Sequence, residues 1–168
     1  MGKIVTTVAG VVILERAVAA QAASIAVLHG RLFPEPWTAD SIATLLDQPT
    51  SVSFIARAGD LLEPVGFLLG RLAADESEVL SLGVRVDMHR CGIGQSLMSA
   101  FLAAAREQGA RRLFLEVGSG NFAARRFYER LGFVQAGRRP RYYQRPGGVA
   151  EDALMLTMVL PQPPSHCR

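Results

Sequence analysis

The sequence predicts an α+β fold built on a mixed, mostly antiparallel central sheet flanked by about four helices. Three observations predict it. Segments with strand and helix periods alternate in the order βαα, βββ, αβ, αββ. Three of the strands follow one another through short turns, which makes an antiparallel meander. An apolar strand then follows a long amphipathic helix, the arrangement of a right-handed parallel crossover. The 168 residues suit one domain over 1–168, and the proline-rich stretch 161–168 is expected to be a flexible tail.

The elements follow in order. Val11–Leu14 reads as a short strand, and Val18 to about Leu32 as an Ala-rich helix with Ile25, Leu28 and Leu32 at helical spacing. Phe33-Pro34-Glu35-Pro36-Trp37 stops that helix, because proline lacks an N–H and fixes φ. Thr38 is a good N-cap for a second helix through about Asp47. Val52–Ala58, Val65–Leu72 and Glu78–Val86 form the meander, with Gly59-Asp60 closing the first strand. The next helix begins at Gly92 or Ile93 and runs to about Gln108. Its apolar stripe is Ile93, Leu97, Phe101 and Ala104, and Gly109 stops it. Leu113–Val117 is a strand that is apolar apart from Glu116. A last helix spans about Asn121–Leu131 and ends at Gly132. Phe133–Ala136 and Ala153–Leu160 close the sheet.

Composition excludes intrinsic disorder, collagen-like repeats and a disulfide-dense scaffold: 49% of residues are hydrophobic and 20% charged. The net charge of +3 is unevenly placed. Residues 1–88 carry six basic and ten acidic side chains, and residues 89–168 carry twelve basic and five acidic. Seventeen of the 18 basic residues are Arg. Arg suits phosphate, and the same bias also follows from a GC-rich genome. Cys91 and Cys167 form neither a framework nor a CxxC metal spacing, so a reducing, cytoplasmic setting and no metal are expected.

No apolar run approaches the roughly 20 residues of a membrane span. Val8–Leu14 and Ala17-Val18-Ala19 together look like a secretion signal with a cleavage site. Glu15 and Arg16 interrupt them, and the amphipathic pattern runs on past Ala19, so a strand and then a helix are expected. Met1–Thr6 fits the short myristoylation pattern, which is common and carries no weight here.

The junction from Val84 to Gln95 links a strand to a helix and sets Gly92 and Gly94 at the helix start. A helix N-terminus offers free N–H groups and partial positive charge, which suits an anionic phosphate. Glycine lets the backbone come close. No Gly-Lys-Ser/Thr follows, and Leu97 stands where a third glycine of a dinucleotide fingerprint would be. On these residues alone, an ordinary tight strand-to-helix turn explains the pattern better.

The loop Arg90-x-Gly92-x-Gly94 resembles the coenzyme A pyrophosphate loop of the GNAT N-acetyltransferases, with His89 in place of the usual Gln or Arg. The resemblance implies the GNAT fold. It also implies that Leu82, Gly83 and Val84 pair with the pantetheine arm, and that Arg90, Cys91, Gly92, Ile93, Gly94 and Gln95 hold the pyrophosphate. Of the basic residues in the second half, Arg90 is the one expected at phosphate. Further residues narrow the family. Leu115-Glu116-Val117, Asn121, Phe127 to Phe133, Tyr142-Tyr143, Glu151-Asp152-Ala153 and the Pro-Trp segment together look like the RimI-type subgroup. Its members acetylate the N-terminal alanine of a small-subunit ribosomal protein. The resemblance covers about residues 11–160. Departures are His89, Gln95 in place of a usual Arg, Gly118-Ser119-Gly120 before Asn121, and one extra residue between Tyr143 and Glu151.

Amide formation needs a neutral amine, and a free α-amino group with a pKa of about 8 is mostly protonated near neutrality. A carboxylate near the acceptor can take that proton. Glu116 is the only charge in its strand. By pattern it is equally a base or an edge-facing, ion-paired carboxylate; the resemblance implies the base. The departing thiolate needs a proton. Ala124, Phe127, Tyr128 and Leu131 share one face of the last helix, so Tyr128 points inward. A core tyrosine bonded locally fits this pattern too; the resemblance implies the acid. Asn121 either caps its helix or bonds the pantetheine arm, or does both. Cys91 reads as a bystander, and His29 and His166 show no ligand spacing.

The implied activity is direct acetyl transfer from acetyl-CoA, the cosubstrate, to a protein N-terminus, with a ribosomal acceptor and neither membrane nor direct nucleic-acid partner. The Pro-Trp loop and the segment Arg138–Gly148 resemble the walls of the family's peptide groove. Glu35, Asp40 and Asp47 either favour a basic acceptor or form a solvated face. Three other readings stay open: a small-molecule amine acetyltransferase, a non-catalytic acyl-CoA-binding interaction protein, and RNA contact through Arg138–Arg145.

Overall fold

The computed structural model describes residues 2–7, 10–59, 63–144 and 147–161. The order of elements is the expected one with a strand added in front. β1 (Lys3–Thr7) and β2 (Gly10–Arg16) form a hairpin. A 3₁₀ turn at Ala19–Gln21 leads into α1 (Ala22–Leu32), and α2 (Ala39–Leu46) follows the proline segment. β3 (Phe54–Ala58), β4 (Gly66–Ala73) and β5 (Glu76–Val84) are the meander. α3 (Ile93–Glu107), β6 (Arg112–Gly118), α4 (Phe122–Arg130), β7 (Val134–Gln144) and β8 (Ala150–Val159) complete the described chain. A strand and a helix thus occupy Gly10–Leu32, where the sequence looks like a secretion signal; Val8 and Ala9 lie outside the described residues. So do residues 162–168 of the expected tail.

The eight strands form one sheet in the order β1-β2-β3-β4-β5-β6-β8-β7. Its one parallel pair is β5–β6, as the strand–helix–strand pattern requires. Alternation along β6 shows how the layers are divided. Leu113, Leu115 and Val117 enter a core shared with α3 and α4. Phe114 and Glu116 face the other side, where α1 and α2 pack over Ile55, Phe67 and Leu69.

Local chemistry explains most boundaries. The Thr38 hydroxyl accepts from the Ser41 N–H at 3.1 Å and starts α2. The buried line on α3 is Ile93, Leu97, Phe101 and Ala105, with Met98 beside it. Ala105 is fully buried, and Ala104, the expected member of the stripe, is half-buried and packs against the same core. Fully burying a side chain such as Phe101 is worth about 1.5–3 kcal/mol over exposure. The strand expected at Phe133–Ala136 instead starts at Val134 and runs to Gln144. One register shift against β8 absorbs Ala136, and a second, between Arg139 and Tyr143, absorbs Pro140 and Arg141, the latter at φ 54. An edge strand tolerates both.

Candidate active site

β5 and β6 pair from Glu76↔Arg112 to Val79↔Leu115 and no further, although β5 runs on to Val84 and β6 to Gly118. The cause lies on the other edge of β5. Against β4, Val79 pairs with Gly70 and Ser81 with Leu69, so Leu80 is an extra residue. A bulge bends its strand and increases twist, and this one comes one residue after the last β5–β6 pair. The strands therefore splay. Leu82, Gly83 and Val84 keep their ladder to Leu68, Phe67 and Gly66 of β4. On the side of β6 these three residues carry no ladder.

The loop after β5 is held by its own side chains. Arg85 Nε contacts Asp87 at 2.6 Å, and that hydrogen bond holds the Asp87 carboxyl below its usual range. His89 Nε2 donates to the Val84 carbonyl at 2.7 Å. The residue that departs from the usual pattern thus ties the loop to the end of β5. Arg90 and Gly92 both adopt positive φ, 60° and 86°. This backbone shape is costly for Arg and free for Gly. Gly92 gives α3 no side-chain cap, and the first helical bond runs from Ser96 N–H to Gly92 C=O at 2.9 Å. The N–H groups of Ile93, Gly94 and Gln95 open a 15-residue helix here. The Ile93 side chain is buried in the core, so only its backbone serves the loop. Cys91 Sγ contacts the His89 carbonyl at 3.5 Å.

Glu116 lies on the α1–α2 side of the sheet. Its Oε1 is 3.0 Å from Arg139 Nε. Pattern alone left the ion-paired reading open, and the pairing is present. Arg139 comes from β7 and also lies over the Tyr142 ring. Phe114, Glu116, Arg139 and Met155 line a groove of about 460 Å³ with Arg71 and Glu78, themselves paired at 2.7 Å. Tyr128 points inward, as its helix face predicts. It is 8% exposed and packs edge-on against Phe127 and Phe133. Burial pushes its phenol well above the usual range, and the Tyr143 phenol adds to the shift. Tyr128 therefore keeps its proton. Asn121 Oδ1 accepts from the Ala124 N–H at 3.1 Å, so its capping role is present.

The sequence reading missed His29. It is 2% exposed, beneath the Pro-Trp loop. Its Nδ1 accepts from the Trp37 N–H at 3.4 Å, so the facing Ser81 hydroxyl at 3.3 Å meets an Nε2–H. Phe33, Trp37 and Phe67 surround the ring. The signal was available, since His29 continues the buried α1 stripe of Ile25 and Leu28. Burial lowers its pKa below 6.5. The unfolded chain therefore binds a proton that the folded chain refuses, and stability falls as pH drops below about 6.5. His29→Gln should cost about 1–2 kcal/mol at pH 7.5 and flatten that slope in urea midpoints measured from pH 7.5 to 5. An equally steep slope in the variant would contradict this.

Glu35, Asp40 and Asp47 are exposed around α2. Arg145, His166 and Cys167 lie outside the described residues. Among the described residues, no group of three His, Cys, Asp or Glu side chains could hold a metal, and no helix is long and apolar enough to cross a membrane.

Residues 22–133 match the acetyltransferase (GNAT) family model. The chain is 30% identical over 96 residues to the ribosomal protein bS18-alanine N-acetyltransferase of Haemophilus influenzae, covering 57% of this chain and 65% of that one. It is 33% identical over 92 residues to the Escherichia coli K12 protein of the same name, covering 55% and 62%. The match spans just under two thirds of either relative's length. In structure, the chain is similar to the Escherichia coli ribosomal-protein-S18-alanine N-acetyltransferase, with a TM-score of 0.84 at 22% identity over 94% of this chain and 99% of that one. It is also similar to Arabidopsis thaliana NAA60 in complex with acetyl-CoA, with a TM-score of 0.77 at 18% identity over 89% and 98%. Both likenesses are of fold.

Proposed function

The chain belongs to the GNAT acetyltransferase family, and from that premise we propose that it transfers the acetyl group of acetyl-CoA to the N-terminal α-amine of a protein. The acceptor we propose is the N-terminal alanine of a small-subunit ribosomal protein, as the names of its bacterial relatives suggest.

One observation carries the reading: the β5–β6 splay lies between an uncapped helix N-terminus and a carboxylate. The open end of α3 fits an anionic pyrophosphate, and the free edge of Leu82–Val84 fits an amide-bearing arm. Arg90 to Gln95 and Leu82 to Val84 would hold the cosubstrate, which supplies an acetyl thioester. Asn121 caps α4.

Glu116 then takes the proton that the α-ammonium must lose, directly or through water. Arg139 fixes the carboxylate's direction by their ion pair. Tyr128 supplies a proton for the departing sulfur, and its burial keeps that proton in place until it is needed. Among the described residues the one free thiol is Cys91, on the loop and facing a carbonyl. No acyl-enzyme step is therefore assigned, and transfer is direct within a ternary complex.

Steady-state turnover on peptides beginning with Ala, Ser, Gly or Met, beside a panel of small amines, tests the substrate class. The expected result is the highest kcat/KM for the Ala-initiated peptide. Faster turnover of the small amines would overturn it.

A further inference from the structure

The end of α1 presses on β5 where β5 has parted from β6. His29 and Leu32 are three residues apart and share a face of α1. Ser81 and Gly83 share a face of β5, beyond the last β5–β6 pair at Val79. A Cβ on Gly83 would stand 2.8 Å from Leu32 Cδ1 and from the Phe67 ring, so glycine there lets α1 settle directly on the strand. His29 Nε2 meets the Ser81 Oγ at 3.3 Å, one residue before Leu82.

The same imidazole holds the loop that follows α1. Pro34 and Pro36 have no N–H to give. The Trp37 N–H donates to His29 Nδ1 at 3.4 Å. The imidazole packs against Phe33 and Trp37 of the loop, at 4.4 and 5.6 Å between ring centres, and against Phe67 of β4 at 5.6 Å. One side chain, 2% exposed, thus joins the Pro-Trp loop to β5 beside the segment proposed for the pantetheine arm. Its two nitrogens have different tasks. The Nε2–H given to Ser81 leaves the Nδ1 lone pair for the loop, because the bond at one nitrogen sets the tautomer for the other.

We propose that His29 is a positioning residue for acceptor binding, which fixes the Pro-Trp loop to the half of β5 that has parted from β6. This rests on the reading of the cleft as an α-amine site with that loop as one wall. His29 is buried and acts through Trp37, and Ser81 holds it in the tautomer that accepts from Trp37. A peptide then meets a wall already in place, so its binding does not have to order the loop.

Two substitutions separate this role from packing. Asparagine carries an oxygen about as far along the side chain as Nδ1, and glutamine about as far as Nε2. His29→Asn therefore keeps an acceptor for the Trp37 N–H and His29→Gln does not, while both lose the ring. Acetyl transfer to an Ala-initiated peptide, near pH 8 and at saturating acetyl-CoA, gives kcat and KM. Trp37 is the only tryptophan in the chain, so acrylamide quenching of its fluorescence reads the loop directly. The expected result for His29→Gln is a peptide KM raised about three- to tenfold and stronger quenching, with kcat and coenzyme A affinity unchanged. His29→Asn should bring KM and quenching back near the wild-type values. Ser81→Ala, which keeps the imidazole and releases its tautomer, should raise KM about twofold and add nothing in the His29→Asn background. Unchanged KM and quenching in His29→Gln and Ser81→Ala would overturn the proposal and leave the function standing. Should His29→Gln not fold, the same result in Ser81→Ala alone would overturn it. Equal increases in His29→Asn and His29→Gln, or parallel weakening of coenzyme A, would overturn it in favour of packing. A wild-type protein that acetylates no α-amine would overturn both the proposal and the function.

Discussion

Glu116→Gln is expected to lower kcat/KM for an N-terminal peptide by about 10²–10⁴-fold at pH 7, the usual worth of a general base. Glutamine is nearly the same shape and still accepts a hydrogen bond from Arg139. What it cannot do is take a proton. The loss should therefore shrink as pH rises past the amine's own pKa of about 8, where neutral acceptor becomes abundant without help. Coenzyme A affinity should be unchanged, since the loop proposed for the pyrophosphate offers it backbone groups at the start of α3. The check is a pH profile of kcat/KM for both proteins. A constant ratio from pH 6.5 to 9.5 would remove Glu116 from the role of base.

Tyr128→Phe is expected to cost about 10²–10³-fold in kcat with little change in peptide or acetyl-CoA KM. The ring contacts to Phe127 and Phe133 survive the change, so stability should move by no more than about 1 kcal/mol. Only the phenol is lost. Its pKa is pushed far up by burial and by Tyr143, so the protonated acid persists throughout the working range. The wild-type kcat profile should accordingly show no alkaline fall from this group. An acetyl thioester with a more acidic leaving thiol should narrow the gap, because such a thiol departs with less help. Undiminished kcat in the variant would reduce Tyr128 to core packing.

These predictions use residues that were legible in the sequence to different degrees. The meander, α3 and β6 were plain, because apolar spacing alone separates their periods. Gly92 and Gly94 marked the strand-to-helix junction, and the family resemblance, not the glycines alone, gave the loop its reading. The extra edge strand β1 was not legible. Lys3–Thr7 is solvent-exposed along most of its length and lacks the in–out alternation that marks a half-buried strand. The long second half of β7 was hidden by Gly137, Pro140 and a run of arginines, which read as loop chemistry.

The site was legible in its residue types and silent in its partners. The sequence marked Glu116 as the one charge in an apolar strand, but the ion pair depends on Arg139, 23 positions away and brought in by β8 pairing on both sides. Likewise the Gly118–Gly120 segment stood out only as a departure. The bond from the Gly120 N–H to the Glu151 carboxylate follows from a register that no local pattern contains. The charge imbalance was real as arithmetic and less direct as function. Arg138 and Arg139 answer Asp152 and Glu116, and Arg125 bonds the Ser119 carbonyl. These arginines of the basic half therefore answer groups of their own chain, and exposed Arg90 remains the arginine on the loop proposed to hold phosphate.

The central claim is about which nitrogen receives the acetyl group. An Ala-initiated peptide that also carries an internal lysine, incubated with the protein and acetyl-CoA, gives one product whose fragment masses locate the modification. The account predicts a single added acetyl on the α-amine and none on the lysine, and loss of that product in Glu116→Gln. Acetyl found on the lysine side chain, with the α-amine untouched, would contradict it.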